Sequence, residues 1–290
     1  MPDSLPVFGS TPVSFRLSHG LVRGLSLGEP DSPIVLCLHG WLDNTGSFMP
    51  LLKSFSEFGL SQHYHFIAID FPGHGQSEHR AGMYHFADWV DDVYQILTQL
   101  GPRPVILLGH SLGALVASCV AAAFAEKVAA LIMIEGAGPL TQSSSTTTSH
   151  LRQAILSRHK PVVQKPRSFA QLQQAKAKAL GLSFEDVAAI VSRGTKPWQQ
   201  GMIWSHDAKL TWLSPVRFAE QQAQQIIKDI QCPTLVLLGK QGYDQIKQQL
   251  TQRSSLFHRL TQLTLTGNHH LHLQNNPQVA AAIKEFLVTL

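Results

Sequence analysis

The chain has 290 residues, enough to bury one large hydrophobic core. Hydrophobic residues make up 44% of it and charged residues 14%, against roughly 25% charged in an average soluble domain, which excludes a disordered chain and a coiled coil. The 23 basic and 19 acidic residues leave a net charge of +4 with no basic run, so nucleic-acid and other polyanion binding is disfavoured.

The first residues, MPDSLPVFGSTPVSF, carry Asp3 where a secretory leader needs positive charge, and no segment reaches the roughly 18 consecutive apolar residues of a membrane span. Strands are expected at 34–38, 65–69, 105–108, 128–134, 234–238 and 260–265. These runs are apolar throughout and do not alternate, as in strands covered on both faces. Helical patterns cover 84–100, 112–125, 215–228 and 277–290, so strand and helix alternate and the class is α/β with a mainly parallel central sheet flanked by helices. Cys37, Cys119 and Cys232 are an odd set in apolar surroundings, which predicts buried thiols and a reducing, cytoplasmic compartment.

One interval breaks the rhythm. Between Glu135 and Thr234 about a hundred residues pass without a convincing strand, more than one crossover helix uses. A polar run at 141–149 reads as a linker. Helical patterns follow at 151–158, 169–180 and 184–192, before Gly194, Pro197 and Trp198 end the periodicity. The expectation is a core of residues 1–136 and 216–290 carrying an inserted helical cap, 137–215. Phe169, Trp198, Trp204 and Trp212 in that cap could line a pocket, although packing within the cap is the simpler role.

The sharpest local signal is Gly109-His110-Ser111-Leu112-Gly113, between the apolar run PVILL and the helix-like run ALVASCVAAAFA. A Gly-x-Ser-x-Gly turn joining strand to helix is strained and needs small neighbours where backbone passes close by. It projects the serine alone, over a helix N-terminus that favours developing negative charge. Ser111 is therefore the expected nucleophile. Its hydroxyl needs a base, and Gly267-Asn268-His269-His270-Leu271-His272 follows the last expected strand, so one of the three histidines should face it. The base in turn needs an acid. Glu135 ends the run AALIMIE and Asp244 follows TLVLLGK, and local chemistry leaves both open. The oxyanion donors are expected at the backbone amides of Leu112 and of Trp41, in the loop after 34–38. Metal binding by His269, His270 and His272 is disfavoured because no closed ligand set accompanies them. Dinucleotide binding at Gly73-His74-Gly75 is disfavoured because the third glycine is missing.

Four motifs in order, HGWLDN at 39–44, DFPGHGQS at 70–77, GHSLG at 109–113 and GNHHLH at 267–272, resemble the α/β-hydrolase fold family. HGWLDN, the acid directly after the strand that follows the nucleophile helix, and RGTKPWQQGMIWSHDAKL at 193–210 look most like its serine hydrolase-like branch. The resemblance favours Glu135 as the acid, because related dehalogenases often place a glutamate there, and Glu135 stands 24 residues after the nucleophile position as in them. Asp244, nearer the place most members use, is the rival. His269, with His272 three residues on, matches the family's usual Gly-x-His pattern, while His270 better fits the spacing to the following proline. A serine where dehalogenases and epoxide hydrolases carry aspartate implies an acyl-serine route, and so hydrolysis of a small-molecule carboxylic ester or thioester without cofactor or metal. The alternative is a non-catalytic ligand-binding protein on the same fold. Neither reading fixes an oligomeric state or a physiological substrate.

Overall fold

A computed structural model describes residues 9–161 and 164–290. Its strands, in chain order, are β1 (Thr11–Leu17), β2 (Gly20–Leu27), β3 (Ile34–Leu38), β4 (His65–Ile69), β5 (Val105–His110), β6 (Val128–Ile134), β7 (Thr195–Trp198), β8 (Gly201–Trp204), β9 (Thr234–Gln241) and β10 (Leu260–Asn268). Eight form one sheet in the order β1-β2-β4-β3-β5-β6-β9-β10. From β4 to β10 every neighbouring pair is parallel. Only the N-terminal hairpin, β1 with β2 and β2 with β4, runs antiparallel.

The continuous apolar runs are explained by burial on both faces. Successive side chains of a strand point to opposite sides. Leu36, Leu38, Leu107, Leu131, Met133 and Val236 accordingly join one core cluster, under the helices Phe86–Leu100 and Leu112–Ala123. Their neighbours Val35, Cys37, Ile106, Leu108, Ile132 and Leu235 join the other, under the helices Met49–Glu57 and Asn276–Val288. Each such fully buried aliphatic side chain contributes about 1.5–3 kcal/mol relative to exposure. Cys37, Cys119 and Cys232 are free and buried within this packing, and burial pushes the Cys119 and Cys232 thiols up to about 12 and about 11. No described helix is long and apolar enough to cross a membrane.

Three features depart from the sequence expectations. The β1–β2 hairpin was not expected. Its outer strand alternates exposed and buried positions, as an edge strand with one wet face does, and lacks a solid apolar run. The interval before Thr234 does contain strand: β7 and β8 pair as a hairpin, turned by Gln199 at φ 50. Pro197 interrupts any longer pattern there. The polar run at 141–149 is more than a linker, since it holds a 3-10 turn at Ser144–Thr146, capped by Ser143, and opens the helix Thr147–Arg158. The other helices between β6 and β9 are Phe169–Leu180, Ala188–Arg193 and Glu220–Lys228.

The two ends of the segment between β6 and β9 meet at one buried cation. The Arg253 side chain is fully buried, and its Nη1 donates to the carbonyls of Ala137 (2.8 Å) and Pro139 (3.1 Å). Its Nε and Nη2 grip the Glu220 carboxylate at 2.9 and 2.7 Å, the two-pronged geometry that guanidinium favours. Further along, the segment is fastened to the loops after β3 and β4. Lys176 bonds to Leu42 and Asp43, Asn44 to Ile190, and Arg193 to Asp70. Trp41 Nε1 donates to the Leu210 carbonyl. Burial pushes the Asp70 carboxyl up, but the Arg193 guanidinium together with His39 and the Gln76 amide holds it below the usual value.

Candidate active site

Parallel strands deliver their C-terminal ends to one edge of the sheet, and the loops leaving β3, β5, β6, β9 and β10 collect there. Ser111 occupies the turn between β5 and the helix Leu112–Ala123, at φ 49 and ψ −117, a conformation costly for a residue with a side chain. The turn is possible because both flanking glycines are pressed against backbone. A Cβ on Gly109 would strike the Gly113–Ala114 peptide, and one on Gly113 would strike the Leu38 carbonyl.

Ser111 Oγ lies 2.9 Å from His269 Nε2. On the other side of the ring, Nδ1 donates to Glu135 Oε2 at 3.0 Å. A carboxylate can only accept, so this contact places the imidazole proton on Nδ1 and leaves the Nε2 lone pair facing the serine hydroxyl. Glu135 is itself fixed. It leaves β6 at φ 52, is 1% exposed, and accepts from the Gly239 amide at 2.7 Å and the Tyr243 amide at 3.4 Å. Gly242 is bare because its missing Cβ would overlap the Glu135 carboxylate. The Tyr243 ring stacks on His269 at 4.2 Å and 24°, a contact that no sequence pattern signals.

The rival residues lie elsewhere. Asp244 sits in the first turn of the helix Asp244–Arg253, its side chain 87% exposed and paired with Lys247. His270 turns away from Ser111 to Asp43, with Nε2 3.3 Å from Oδ2. The three C-terminal histidines therefore face different surroundings, His269 the serine, His270 Asp43, and His272 a fully buried position where neither ring nitrogen has a partner. Gly73-His74-Gly75 forms a turn after β4 and opens no helix. Of the aromatic residues between β6 and β9, Trp204 packs on the small cluster around Leu172 and Val191, and Trp198 is half exposed.

The amide of Leu112 is the first of its helix, among those that no intrahelical carbonyl can reach. The loop bearing Trp41 starts beside it, because Leu38 is in register with Gly109. That loop is shaped by a turn in which the Asp43 amide donates to the Gly40 carbonyl, with Leu42 at φ 58. His39 braces it, its Nδ1 donating to the Gly40 carbonyl at 2.7 Å and its Nε2 accepting from the Phe71 amide at 2.9 Å.

A scan against family models matches residues 33–276 to the alpha/beta hydrolase fold. The chain belongs to the alpha/beta hydrolase fold family. It is 26% identical to a serine hydrolase-like protein of Danio rerio over 95% of this chain and 86% of the relative. To serine hydrolase-like protein 2 of Homo sapiens it is 28% identical, over 92% and 91%. Among solved structures, a hypothetical protein of Pseudomonas aeruginosa superposes with a TM-score of 0.85 at 29% identity, covering 96% of this chain and 99% of that one. Family and relatives place this alpha/beta hydrolase in the serine hydrolase-like branch and support a hydrolase.

The buried histidines of this hydrolase set its acid limit. His39 and His74 are essentially inaccessible, and burial holds both rings below their ordinary value of 6.5. The unfolded chain takes up a proton on each as pH falls through about 6.5, while the folded chain does not. Stability present above that pH is thus lost below it, by up to about 1.4 kcal/mol per pH unit for each ring. The buried carboxylates Asp43 and Asp70 are shifted down, so their contribution is lost only below about pH 4. Urea unfolding should therefore show stability falling by more than about 2 kcal/mol between pH 6.5 and 5. A level profile over that range would contradict the neutral-histidine account.

Proposed function

We propose that the protein hydrolyses a small-molecule carboxylic ester or thioester through an acyl-Ser111 intermediate. The observation that carries this reading is the unbroken chain of contacts from Ser111 Oγ through the His269 ring to a buried, fully hydrogen-bonded Glu135. In the proposed reaction Ser111 Oγ attacks the substrate carbonyl carbon while His269 Nε2 takes the hydroxyl proton. The negative charge on the former carbonyl oxygen is met by the amides of Trp41 and Leu112. The C–O or C–S bond then breaks, and Nε2 returns the proton to the departing alcohol or thiol. Water enters, gives one proton to Nε2 and attacks the acyl carbon; the acyl C–Oγ bond breaks, Nε2 returns that proton to Ser111 Oγ, and the carboxylic acid departs as a carboxylate, its remaining proton passing to solvent. Glu135 keeps its charge throughout, fixing the tautomer and stabilising the imidazolium. No step needs a metal or cofactor.

Residues 137–215 are taken as a cap domain on a core of 1–136 and 216–290, a division supported by the Arg253 clamp and by the ties from Lys176, Asn44 and Trp41 across the sheet edge. The test is a fluorophosphonate probe followed by peptide mapping. An activated nucleophile is expected to carry the phosphonate on Ser111 in stoichiometric yield. A folded protein that stays unlabelled is a binding protein, and the hydrolytic reading is then wrong.

A further inference from the structure

Behind His269 lies a second constellation that the reaction above does not use. Asp43, His110 and His270 each offer a ligand atom, and the three atoms all lie within 4.8 Å of one another. Asp43 Oδ2 is 3.3 Å from His270 Nε2 and 3.9 Å from His110 Nδ1. All three residues are buried, at 0%, 6% and 3% exposure for His110, His270 and Asp43.

The tautomer of His110 is fixed by its other nitrogen. Nε2 lies 2.9 Å from the carbonyl oxygen of His269, which can only accept, so Nε2 carries the proton. In the neutral ring Nδ1 is then a bare lone pair, and it has no hydrogen-bond partner. It lies 3.9 Å from a carboxylate oxygen in a site closed to solvent. Two electron-rich atoms held together there call for a cation. Gly40 leaves room on one side, since a Cβ on it would come within 2.9 Å of His110 Nδ1 and 3.3 Å of Asp43 Oδ2. Lys176 does not fill the role, because it pairs with the other carboxylate oxygen, Oδ1.

We propose that Asp43 Oδ2, His110 Nδ1 and His270 Nε2 form a binding site for a divalent transition-metal ion of the zinc class. Two imidazoles and one carboxylate suit zinc, cobalt or nickel and are a poor set for magnesium or calcium. Zinc bonds of about 2.0–2.1 Å in tetrahedral array put ligand atoms roughly 3.3 Å apart, a spacing that Asp43 and His270 already have, and the other separations must close by at most about 1.5 Å. Binding requires the proton on His270 Nε2 to move to its own Nδ1, so that the neutral ring ligates through Nε2, and a water completes the set. Closing it also draws on the active site. His110 holds the His269 carbonyl and His270 is the next residue, so an ion that pulls both rings toward Asp43 shifts the peptide carrying His269 away from Ser111. Metal binding stands apart from the hydrolase reading; inhibition by the metal rests on it.

The experiment titrates tag-free, chelator-stripped protein with Co²⁺, read by visible absorption, and with Zn²⁺, read by calorimetry. One equivalent of Co²⁺ should give the intense ligand-field bands of a four-coordinate site, displaced by Zn²⁺ but not by Mg²⁺. His270→Gln and His110→Gln should each weaken binding at least ten-fold, while Glu135→Gln and Ser111→Ala should bind as the parent does. Circular dichroism confirms the fold of each variant, and if one is unfolded the other decides. Absence of a saturable site in the parent overturns the proposal, as does binding lost in Glu135→Gln, which would put the ion on His269. If the parent turns over a p-nitrophenyl ester, stoichiometric Zn²⁺ should suppress turnover at least ten-fold, and full turnover with the site filled overturns the inhibitory link. An inactive parent that still shows the cobalt bands leaves the site standing and counts against the hydrolytic reading alone.

Discussion

Ser111→Ala is expected to abolish hydrolysis of short acyl p-nitrophenyl esters, lowering kcat by about 10⁴-fold or more, because nucleophile and base act as a unit and neither compensates for the other. The protein should stay folded. The serine side chain makes no helix-capping hydrogen bond and its only described partner is His269, so its loss frees one ring nitrogen and leaves the packing of the core clusters unchanged. Alanine at φ 49 carries the same backbone strain as serine, and the flanking Gly109 and Gly113 are untouched. A melting temperature within a few degrees of the parent together with lost turnover is the expected pair of results. Undiminished turnover in the folded variant would place the chemistry on another group.

The second large effect separates the two carboxylates. Glu135→Gln keeps the side chain's size and an oxygen for the Gly239 amide, but it presents an amide to His269 Nδ1. An amide NH₂ there favours the opposite tautomer, with the proton on Nε2, where it cannot accept from serine. The expected loss in kcat is about 10³–10⁴-fold with KM little changed. Asp244→Asn removes only a solvent-exposed pair with Lys247, worth at most about 1 kcal/mol of stability, and should leave kcat within about two-fold of the parent. Steady-state kinetics on the two variants side by side checks this. Reversed magnitudes would assign the acid to the later loop.

The buried parallel sheet was legible because each of its central strands is covered on both faces and so reads as an unbroken apolar run. The loops that matter follow those runs directly. The two partners of the Ser111–His269 contact could be singled out as candidates in this way, one in a turn whose glycines are forced by backbone contact and the other at the end of β10. The acid was harder because two carboxylates follow strands, and the features that separate them are three-dimensional. Glu135 turns inward at φ 52 against the bare face of Gly242, while Asp244 pairs with Lys247 one helical turn on. Tyr243 and Arg253 were not legible. An exposed aromatic and a lone arginine in QQLTQRSS carry no local pattern, and their roles arise from segments remote in the chain, His269 for Tyr243 and the carbonyls of Ala137 and Pro139 for Arg253.

On the proposed division into a core and a cap that roofs the site, Arg253 also limits how ligands can reach the serine. Because one inaccessible guanidinium holds the peptide carbonyls leaving β6 and the carboxylate at Glu220 together, swinging the whole roof outward would break a two-pronged ion pair and two further hydrogen bonds at once. Admission is cheaper through motions inside the roof, with the neck held shut. The traffic of substrate and product should then depend on the helices and hairpin between Gln142 and Ala219, and little on flexibility where the two lobes join.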